Sequence, residues 1–302
     1  MNILVLGGGD SPEREVSLRS AKSVATAARA AGFQVSEADP AEGLEVLDRI
    51  HESTIVMPVL HGAGGEDGSI QAELEKRHLP FLGSDSRSSA DSFDKAVTRR
   101  KLEAAGLPVA KGAVVGKGSY AGHSLSKKPH VLKVSRGGSS IGTLIVRDTA
   151  SINKEDIDKL FALDDEAILE ELVDGPEVTI PILDKQALPV IEIRPPQGLE
   201  FDYENKYNGM SAEICPPETI SKDIQQKVQN MAEEVHRVMG CRHLSRVDIM
   251  IDKNSDLYVL EINTIPGLTD QSLYPKSASA AGLDMPGLVK RFVELVERDY
   301  SL

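Results

Sequence analysis

The sequence RVDIMIDKNSDLYVLEIN occupies residues 246–263 of a chain of 302 residues. Two runs rich in Val, Ile, Leu and Tyr, residues 246–252 and 257–262, flank the polar pair Asn254-Ser255. Apolar and β-branched runs separated by a short polar turn are typical of an antiparallel β-hairpin. We therefore predict two paired strands here, with the turn at Asn254-Ser255.

One face of that hairpin carries four polar side chains. Residues two apart in a strand share a face, so Arg246 lies with Asp248, and Glu261 lies with Asn263. In a symmetric hairpin Asp248 faces Glu261 and Arg246 faces Asn263. Two carboxylates and an amide oxygen on one face suit a hard cation such as Mg²⁺, which proteins hold by carboxylates together with substrate phosphates. The alternative is an arginine–carboxylate network at the surface.

A glycine- and serine-rich loop follows the apolar strand that ends at Lys133. Residues 133–142 read KVSRGGSSIG, inside a segment, residues 95–147, that holds eleven basic residues and one acid. Glycine lets backbone N–H groups approach phosphate oxygens, and lysine adds a point charge. The loop matches neither GxxxxGK[ST] nor GxGxxG. It is either a nucleotide-phosphate site or a flexible turn in a solvated basic face.

Two more glycine loops follow strands near the N-terminus. Residues 7–15 read GGGDSPERE and open a helix, and residues 61–68 read HGAGGEDG. A helix N-terminus binds anions, whereas Glu13 in its first turn suits an ammonium group, and an amino acid carries both charges. Glutamate is also common in a first turn without any ligand. His61 would lie at the carboxyl ends of the strands, where open α/β sheets bind ligands.

The composition excludes several classes of function. A net charge of −13 argues against non-specific binding of nucleic acid. The longest apolar run, residues 54–60, is far shorter than the roughly 18 residues that indicate a membrane span. The N-terminus lacks the basic region of a signal peptide, and Cys215 and Cys241 lack the spacing of a zinc site or disulfide framework. We expect a cytoplasmic protein with neither a membrane nor a nucleic-acid partner.

Strand and helix patterns divide the chain into three predicted domains. Alternating strands and helices in residues 1–90 predict a parallel α/β sheet, with a helix at residues 41–48. The small polar residues 84–90 suit a domain boundary. Residues 91–175 predict a small α+β unit, and residues 176–302 predict a second unit of mixed structure.

Taken in order, these segments resemble the D-alanine–D-alanine ligases of the ATP-grasp superfamily. The matching segments are residues 8–17, 61–68, 135–142, 170–177, 204–207, 246–248 and 261–267. Each segment alone is a weak indication, but the ordered set is specific. The resemblance implies an ATP-grasp fold, in which an N-terminal parallel α/β domain precedes two α+β subdomains that sandwich ATP. It also implies ATP-dependent ligation of two D-alanine molecules through an acyl phosphate, for peptidoglycan precursor synthesis.

The resemblance implies a nucleotide site and a metal site. Lys95 and Lys133 would bind the ATP phosphates. The residues that would meet adenine and hold the ribose are Glu170, Glu171, Val173 and Glu177. The ligands of two Mg²⁺ ions, which Mn²⁺ could replace, would be Asp248, Glu261 and Asn263.

It further implies a substrate site and a catalytic set. Glu13 would hold the ammonium of the first D-alanine, with His61 near its carboxylate. Ser139 and Tyr207 would join Glu13 in a hydrogen-bonded triad that closes the long loop, residues 195–217, as a lid, while Lys206 would approach the transferring phosphate. The groups that would hold the oxyanion are Arg246 and the backbone N–H of Gly267. The carboxylate of the second D-alanine would be bound by Ser272 and Leu273.

Three positions depart from the commonest form of the family, namely Ala63, Val134 and Gly137. None is at a ligating position, so we expect altered loop stiffness rather than lost chemistry. The Lys206-Tyr207 pair favours dipeptide formation over the use of D-lactate. Two alternatives stay open: another ATP-grasp carboxylate–amine ligase, taking D-lactate or D-serine second, and a nucleotide-binding module without chemistry. A homodimer is expected by resemblance alone.

Overall fold

The computed structural model describes residues 1–138, 141–194 and 211–302. The strands in these residues form three sheets, of three, four and six strands. The first sheet is parallel and the other two are antiparallel. Helices pack on the sheets, so the mixed α/β and α+β class predicted from the sequence is confirmed.

The parallel sheet consists of β1 (Asn2–Leu6), β2 (Gln34–Ala38) and β3 (Ile55–Pro58) in the order β2-β1-β3. Helix α1 (Arg14–Ala30) joins the first two strands, and helix α2 (Ser69–Lys76) follows the third. Because β1 and β3 are parallel neighbours, the glycine loops that follow them leave the same edge of the sheet.

The prediction of an α-helix at residues 41–48 is wrong. These residues lie in two 3-10 turns, Pro40–Glu42 and Glu45–Asp48, separated by Gly43 with a φ of 114°. A φ in that region ends a right-handed helix, and glycine adopts it without steric strain. Asp39 begins the first turn by accepting a hydrogen bond from the backbone N–H of Ala41.

Residues 84–90, predicted as a small polar boundary, run into helix α3 (Ser86–Phe93), which the sequence analysis missed. Asp85 begins this helix by accepting a hydrogen bond from the N–H of Ser88 at 2.7 Å. Helix α4 (Lys95–Ala104) follows at once, and Asp94 caps it. The division of the chain into three domains stays a prediction.

The four-stranded sheet lies in the middle of the chain. Its strands are β4 (Gly112–Gly116), β5 (His130–Val134), β6 (Thr143–Val146) and β7 (Glu166–Glu171). They are ordered β4-β7-β5-β6, and the helices beside them are α5 (Lys117–Tyr120) and α6 (Lys154–Leu163). Leu132, Leu160 and Phe161 are buried between the sheet and these helices.

The six-stranded sheet carries the hairpin. Its strands are β8 (Glu177–Leu183), β9 (Gln186–Ala187), β10 (Ile191–Arg194), β11 (Ala212–Ile214), β12 (Leu244–Ile251) and β13 (Leu257–Asn263). They follow the order β11-β10-β8-β12-β13, with β9 beside β8 and helix α7 (Lys222–Val238) packed on the sheet. Strand β11 lies within the predicted long loop, so residues 212–214 correct that prediction. Residues 195–210 of the loop lie outside the described part of the chain.

The predicted register of the hairpin is confirmed at the polar positions. Arg246 pairs with Asn263, and Asp248 pairs with Glu261. The pairing then shifts by one residue, because Ile249 pairs with Val259. This β-bulge departs from the symmetric hairpin that the sequence predicts, and it lies beside the carboxylates.

The last two helices pack against the first sheet and helix α1, and the first of them also contacts the six-stranded sheet. Helices α8 (Leu273–Ala280) and α9 (Met285–Tyr300) share a hydrophobic core with β1, β3 and α1. The end of the chain therefore packs against its beginning. Among the described residues, no helix has both the length and the apolar character needed to cross a membrane.

Candidate active site

A cavity of about 1000 Å³ lies where the three sheets approach one another. Thirteen predicted site residues line it, and they are Glu13, His61, Lys95, Lys133, Glu170, Glu177, Arg246, Asp248, Glu261, Asn263, Gly267, Ser272 and Leu273. A smaller cavity of about 160 Å³ shares several of these residues and adds Glu171 and Val173. The three other predicted residues, Ser139, Lys206 and Tyr207, lie outside the described residues.

Strands β8, β12 and β13 form one wall of the main cavity, the strand wall, on which three donors hold Asp248. The Nε and Nη2 atoms of Arg246 donate to its two carboxylate oxygens at 2.9 and 2.8 Å. The hydroxyl of Thr179, on the neighbouring strand β8, donates to the same carboxylate. Asp248 is only 4% exposed. The arginine–carboxylate contact weighed as an alternative is therefore real, but it is buried beside the facing acid rather than spread over the surface.

Glu261 and Asn263 continue this wall. Glu261 Oε2 lies 3.9 Å from Lys95 Nζ, and Asn263 Oδ1 accepts a hydrogen bond from the N–H of Ile265 at 2.9 Å. Within the described ranges, no group of three or more His, Cys, Asp or Glu side chains is placed to hold a metal ion. A cation here would therefore use two carboxylates and one amide oxygen. Such an all-oxygen set suits Mg²⁺, which takes its other ligands from water and substrate phosphates.

Lys133 lies in a buried group of charges. Its Nζ atom is 2.8 Å from Glu170 Oε2, and the other oxygen of Glu170 accepts from Arg99 Nη1 at 3.1 Å. Burial alone would lower the pKa of the Lys133 ammonium, but the charge and hydrogen bond of Glu170, with the charges of Glu261 and Glu177, raise it. Lys133 therefore stays cationic at the cavity wall. The sequence analysis missed Arg99, which balances Glu170 from helix α4.

The base of the loop after Lys133 is fixed by two aspartates. Ser135 Oγ donates to Asp94 Oδ1 at 2.9 Å, and Arg136 donates through Nε and Nη2 to Asp164 at 3.2 and 3.1 Å. Burial would raise the pKa of Asp164, but hydrogen bonds from the backbone and side chain of Arg136 lower it. Neither aspartate was predicted as a site residue, although Asp94 is the N-cap of α4.

Lys95 reaches this loop directly. Its Nζ atom donates to the carbonyl oxygen of Gly137 at 2.6 Å. Two of the three unusual positions also meet here, because a Cβ at Gly137 would lie 2.9 Å from Val134 Cγ2. The valine side chain at position 134 therefore occupies the space that a side chain at position 137 would need. The third, Ala63, is exposed.

The opposite wall is made of glycine loops. Glu13 is 7% exposed, and added Cβ atoms at Gly62 and Gly138 would lie 2.8 and 2.7 Å from its Oε2 atom. Ser11 Oγ donates to the carbonyl oxygen of His61 at 2.6 Å. The backbone at Gly62 has a φ of 73°, which glycine tolerates. Three separate segments therefore meet around one carboxylate.

The ring of His61 lies between Ser20 and Glu66. Its Nε2 atom lies 3.2 Å from Ser20 Oγ, and its Nδ1 atom lies 3.9 Å from Glu66 Oε1. The other oxygen of Glu66 accepts from the N–H of Gly62 at 3.0 Å. Ser20 and Glu66 were not predicted as site residues, although Glu66 lies in the glycine loop of residues 61–68.

The turn before helix α8 also borders the cavity. A Cβ at Gly267 would lie 2.8 Å from Ser272 Oγ, which also accepts from the N–H of Thr269 at 3.1 Å. Ser272 is the N-cap of α8, and Leu273 is its first residue. Ser23 of α1 donates to Asp270 at 2.9 Å, which ties this turn to the N-terminal sheet. Backbone N–H groups at a helix start suit a carboxylate.

Comparison with known proteins shows which family this chain resembles over most of its length. A family model described as the D-ala D-ala ligase C-terminus matches residues 102–294. The D-alanine–D-alanine ligase of Methylacidiphilum infernorum is 40% identical over 295 residues, which are 97% of this chain and 95% of that protein. The ligase of Xanthobacter autotrophicus is 40% identical over 299 residues, covering 97% of each.

Solved structures agree as well. The D-alanine–D-alanine ligase of Bacillus anthracis complexed with ATP superposes with a TM-score of 0.84 at 26% identity, over 100% of this chain and 99% of that one. The ligase from Coxiella burnetii gives a TM-score of 0.85 at 25% identity, over 100% and 95%. The predicted ATP-grasp architecture is thereby confirmed.

Proposed function

The chain belongs to the D-alanine–D-alanine ligase family, and we propose which of its residues perform each part of the ATP-dependent joining of two D-alanine molecules. The observation that carries the assignment is the convergence of thirteen predicted residues from all parts of the chain on one cavity. The product, D-alanyl-D-alanine, serves peptidoglycan precursor synthesis.

The nucleotide lies between the four-stranded and six-stranded sheets. Lys95 and Lys133 bind its phosphates, since both ammonium groups reach the cavity beside the glycine loop. The side chains and backbone that meet adenine and ribose are Glu170, Glu171, Val173 and Glu177, which border the smaller cavity. Glu170 also raises the pKa of Lys133, so the lysine stays protonated beside the phosphates.

Asp248, Glu261 and Asn263 hold two Mg²⁺ ions, with Mn²⁺ as a substitute. The donor set fits, because three oxygen-bearing side chains share one face of a rigid strand pair. Bound Mg²⁺ would neutralise the negative charge that develops on the phosphates. Arg246 and Thr179 fix the orientation of Asp248 by their hydrogen bonds.

The first half of the reaction takes place between the loop wall and the nucleotide. Glu13 holds the ammonium group of the first D-alanine, and His61 lies near its carboxylate. That carboxylate attacks the γ-phosphate of ATP, and the products are ADP and an acyl phosphate. Lys206 approaches the transferring phosphate, while Ser139 and Tyr207 join Glu13 to close the lid and exclude water.

The second half takes place at the turn before α8. Ser272 and Leu273 bind the carboxylate of the second D-alanine, whose amine attacks the acyl carbon and expels phosphate. Arg246 and the N–H of Gly267 stabilise the tetrahedral oxyanion between attack and expulsion.

The proposal also covers the cellular location of the enzyme and its macromolecular partners. Two free cysteines in the described chain suit the cytoplasm, where thiols stay reduced. A homodimer follows from the family alone. Neither nucleic acid nor membrane is an expected partner of a chain with a net charge of −13.

The experiment is a stoichiometric assay of ADP and product mass. Purified protein receives ATP, Mg²⁺ and D-alanine, with L-alanine, D-lactate and D-serine in parallel. One D-alanyl-D-alanine per ADP, and none from L-alanine, is the expected result. A mixed product with D-lactate or D-serine would keep the mechanism and change the second substrate. Absence of ADP with every substrate, in folded protein that binds ATP, would favour a nucleotide-binding module without chemistry.

A further inference from the structure

An ion pair crosses the cavity beside the predicted site for the second carboxylate. Lys276 Nζ of helix α8 lies 2.5 Å from Glu213 Oε2 of strand β11, and both residues line the cavity. Glu213 is fixed by the ladder, because it pairs with Ile193 of β10. The side chain of Lys276 is 37% exposed and that of Glu213 is 18% exposed, so the pair is open to the cavity.

Helix geometry directs Lys276 towards the start of α8. The backbone N–H of Lys276 bonds to the carbonyl oxygen of Ser272, one turn earlier, so the two residues share a face. Helical side chains lean towards the N-terminus and cover the turn that precedes them. The side chain of Lys276 therefore leaves α8 on the face that carries Ser272, in the direction of the helix start. Of the other cations that line the cavity, Arg19 and Lys22 are exposed and belong to α1.

We propose that Lys276 is a specificity-determining residue, whose ammonium leaves Glu213 to bind the carboxylate of the second substrate. This rests on the proposed function, which places that carboxylate at Ser272 and Leu273. Backbone N–H groups bind a neutral amide oxygen as well as a carboxylate, whereas an ammonium group favours the anion strongly. The exchange of one carboxylate for another is feasible, because partly exposed ion pairs contribute little net stability.

A competition between D-alanine and D-alaninamide tests the proposal. D-alaninamide has no carboxylate to attack ATP, so it reacts only as the second substrate and yields D-alanyl-D-alaninamide. The measurement is the ratio of dipeptide to dipeptide amide by mass, at fixed concentrations of both substrates. The amines of D-alanine and D-alaninamide differ in inherent reactivity. This difference is the same for every variant, so it cancels when the ratios of two variants are compared. The ratio also comes only from active molecules, so partial misfolding does not alter it.

Three variants give the expected pattern. In Lys276→Met the ratio should fall at least about tenfold, since a charged hydrogen bond to one competitor is lost. In Lys276→Arg, which keeps the charge, the ratio should recover most of that loss. In Glu213→Gln, which breaks the same ion pair but keeps the cation, the ratio should not fall.

Lys22→Met is the matched control, because it removes a cation from the same cavity without touching α8. Its ratio should stay within about twofold of the wild-type ratio. An unchanged ratio in Lys276→Met, or an equal fall in Lys22→Met, would overturn the proposal. If wild-type protein forms neither product, the proposed function itself has failed. A wild type that forms both products, with a ratio that Lys276→Met leaves unchanged, refutes the role of Lys276 alone.

Discussion

The cavity has a strand wall and a loop wall, and each presents a buried carboxylate in a different way. Asp248 belongs to a strand that is paired on both sides, and it accepts hydrogen bonds from Arg246 and Thr179. Glu13 belongs to no strand, and the glycine loops at Gly62 and Gly138 come close to it. The strand wall comprises β8, β12 and β13, and the loop wall comprises residues 7–15 and 61–68.

The two walls differ in what fixes the positions of their side chains. On the strand wall, backbone ladders fix the positions, so a side-chain substitution removes a chemical group and leaves the frame in place. On the loop wall, glycines with positive φ, such as Gly62 at 73°, allow the close approach to Glu13. A single added methyl group there should change the geometry itself. Four experiments test this contrast.

The largest effect is expected on the strand wall. Arg246→Ala removes a proposed oxyanion donor, and the loss of one such donor lowers kcat by about 100- to 1000-fold. Because the ladder remains, the fold should remain, which circular dichroism and thermal unfolding would check. Arg237→Ala, at an exposed arginine on α7, is the control and should leave kcat unchanged. A loss below about tenfold in Arg246→Ala would remove this residue from the oxyanion role.

A matched pair of glycines tests the loop wall. Gly62 and Gly64 both have positive φ, at 73° and 83°, so alanine at either should destabilise the fold by about 1–2 kcal/mol. Only at Gly62 would the new Cβ meet Glu13, 2.8 Å from Oε2, whereas at Gly64 it meets nothing within 4 Å. Gly62→Ala should therefore lower kcat/KM for D-alanine by on the order of tenfold or more, and Gly64→Ala should not. Equal losses in the two variants would contradict the contrast between the walls.

Acid should lower the stability of the fold by protonating two buried histidines near strand β12. Burial, joined by nearby positive charges, lowers the pKa of both His236 and His243 to about 4. Unfolded histidine titrates near pH 6.5, so the unfolded state binds more protons, and stability falls as the pH drops from about 6.5 towards 4. Between pH 7.5 and 5 each histidine should account for a loss of about 1–2 kcal/mol.

Urea unfolding at the two pH values measures this loss. The variants His236→Gln and His243→Gln should each lose less stability between the two pH values than the wild type does, whatever their stability at pH 7.5. The Nδ1 atom of His236 lies 2.7 Å from Ser245 Oγ of β12. Protonation of His236 should therefore destabilise the sheet that carries Asp248. A pH dependence identical to that of the wild type in both variants would contradict this assignment.

The smallest effect is expected at Thr179. Thr179→Val removes one of three donors to Asp248 while keeping a β-branched side chain in the strand. One hydrogen bond contributes about 0.5–1.5 kcal/mol net, so kcat should fall by less than about tenfold. Thr179→Ser keeps the hydroxyl and should lie closer to the wild type. A collapse as large as that of Arg246→Ala would show that the ladder and Arg246 do not suffice to fix Asp248.

Sequence reasoning succeeded where the geometry is local. The facing pairs Asp248–Glu261 and Arg246–Asn263 follow from the alternation of strand side chains about a nearby turn. The one-residue shift at Ile249 was missed, because a bulge depends on packing across the sheet and leaves no periodic signal.

Contacts between distant segments could not be predicted from spacing. Arg99 meets Glu170 across 71 positions of sequence, and the clamp between Arg136 and Asp164 spans 28. Charge patterns identify such residues only as ordinary surface charges. Helix α8 was missed as well, although Ser272 at its N-cap was named for another reason.

The central claim is that the carboxylate of one D-alanine is phosphorylated in this cavity before the other D-alanine attacks it. D-alanine labelled with oxygen-18 in its carboxylate, together with unlabelled ATP, tests this most directly by mass spectrometry of the released phosphate. One labelled oxygen in each phosphate per dipeptide is the predicted result, because the acyl phosphate keeps a carboxylate oxygen on phosphorus. Dipeptide formed with unlabelled phosphate would contradict the account.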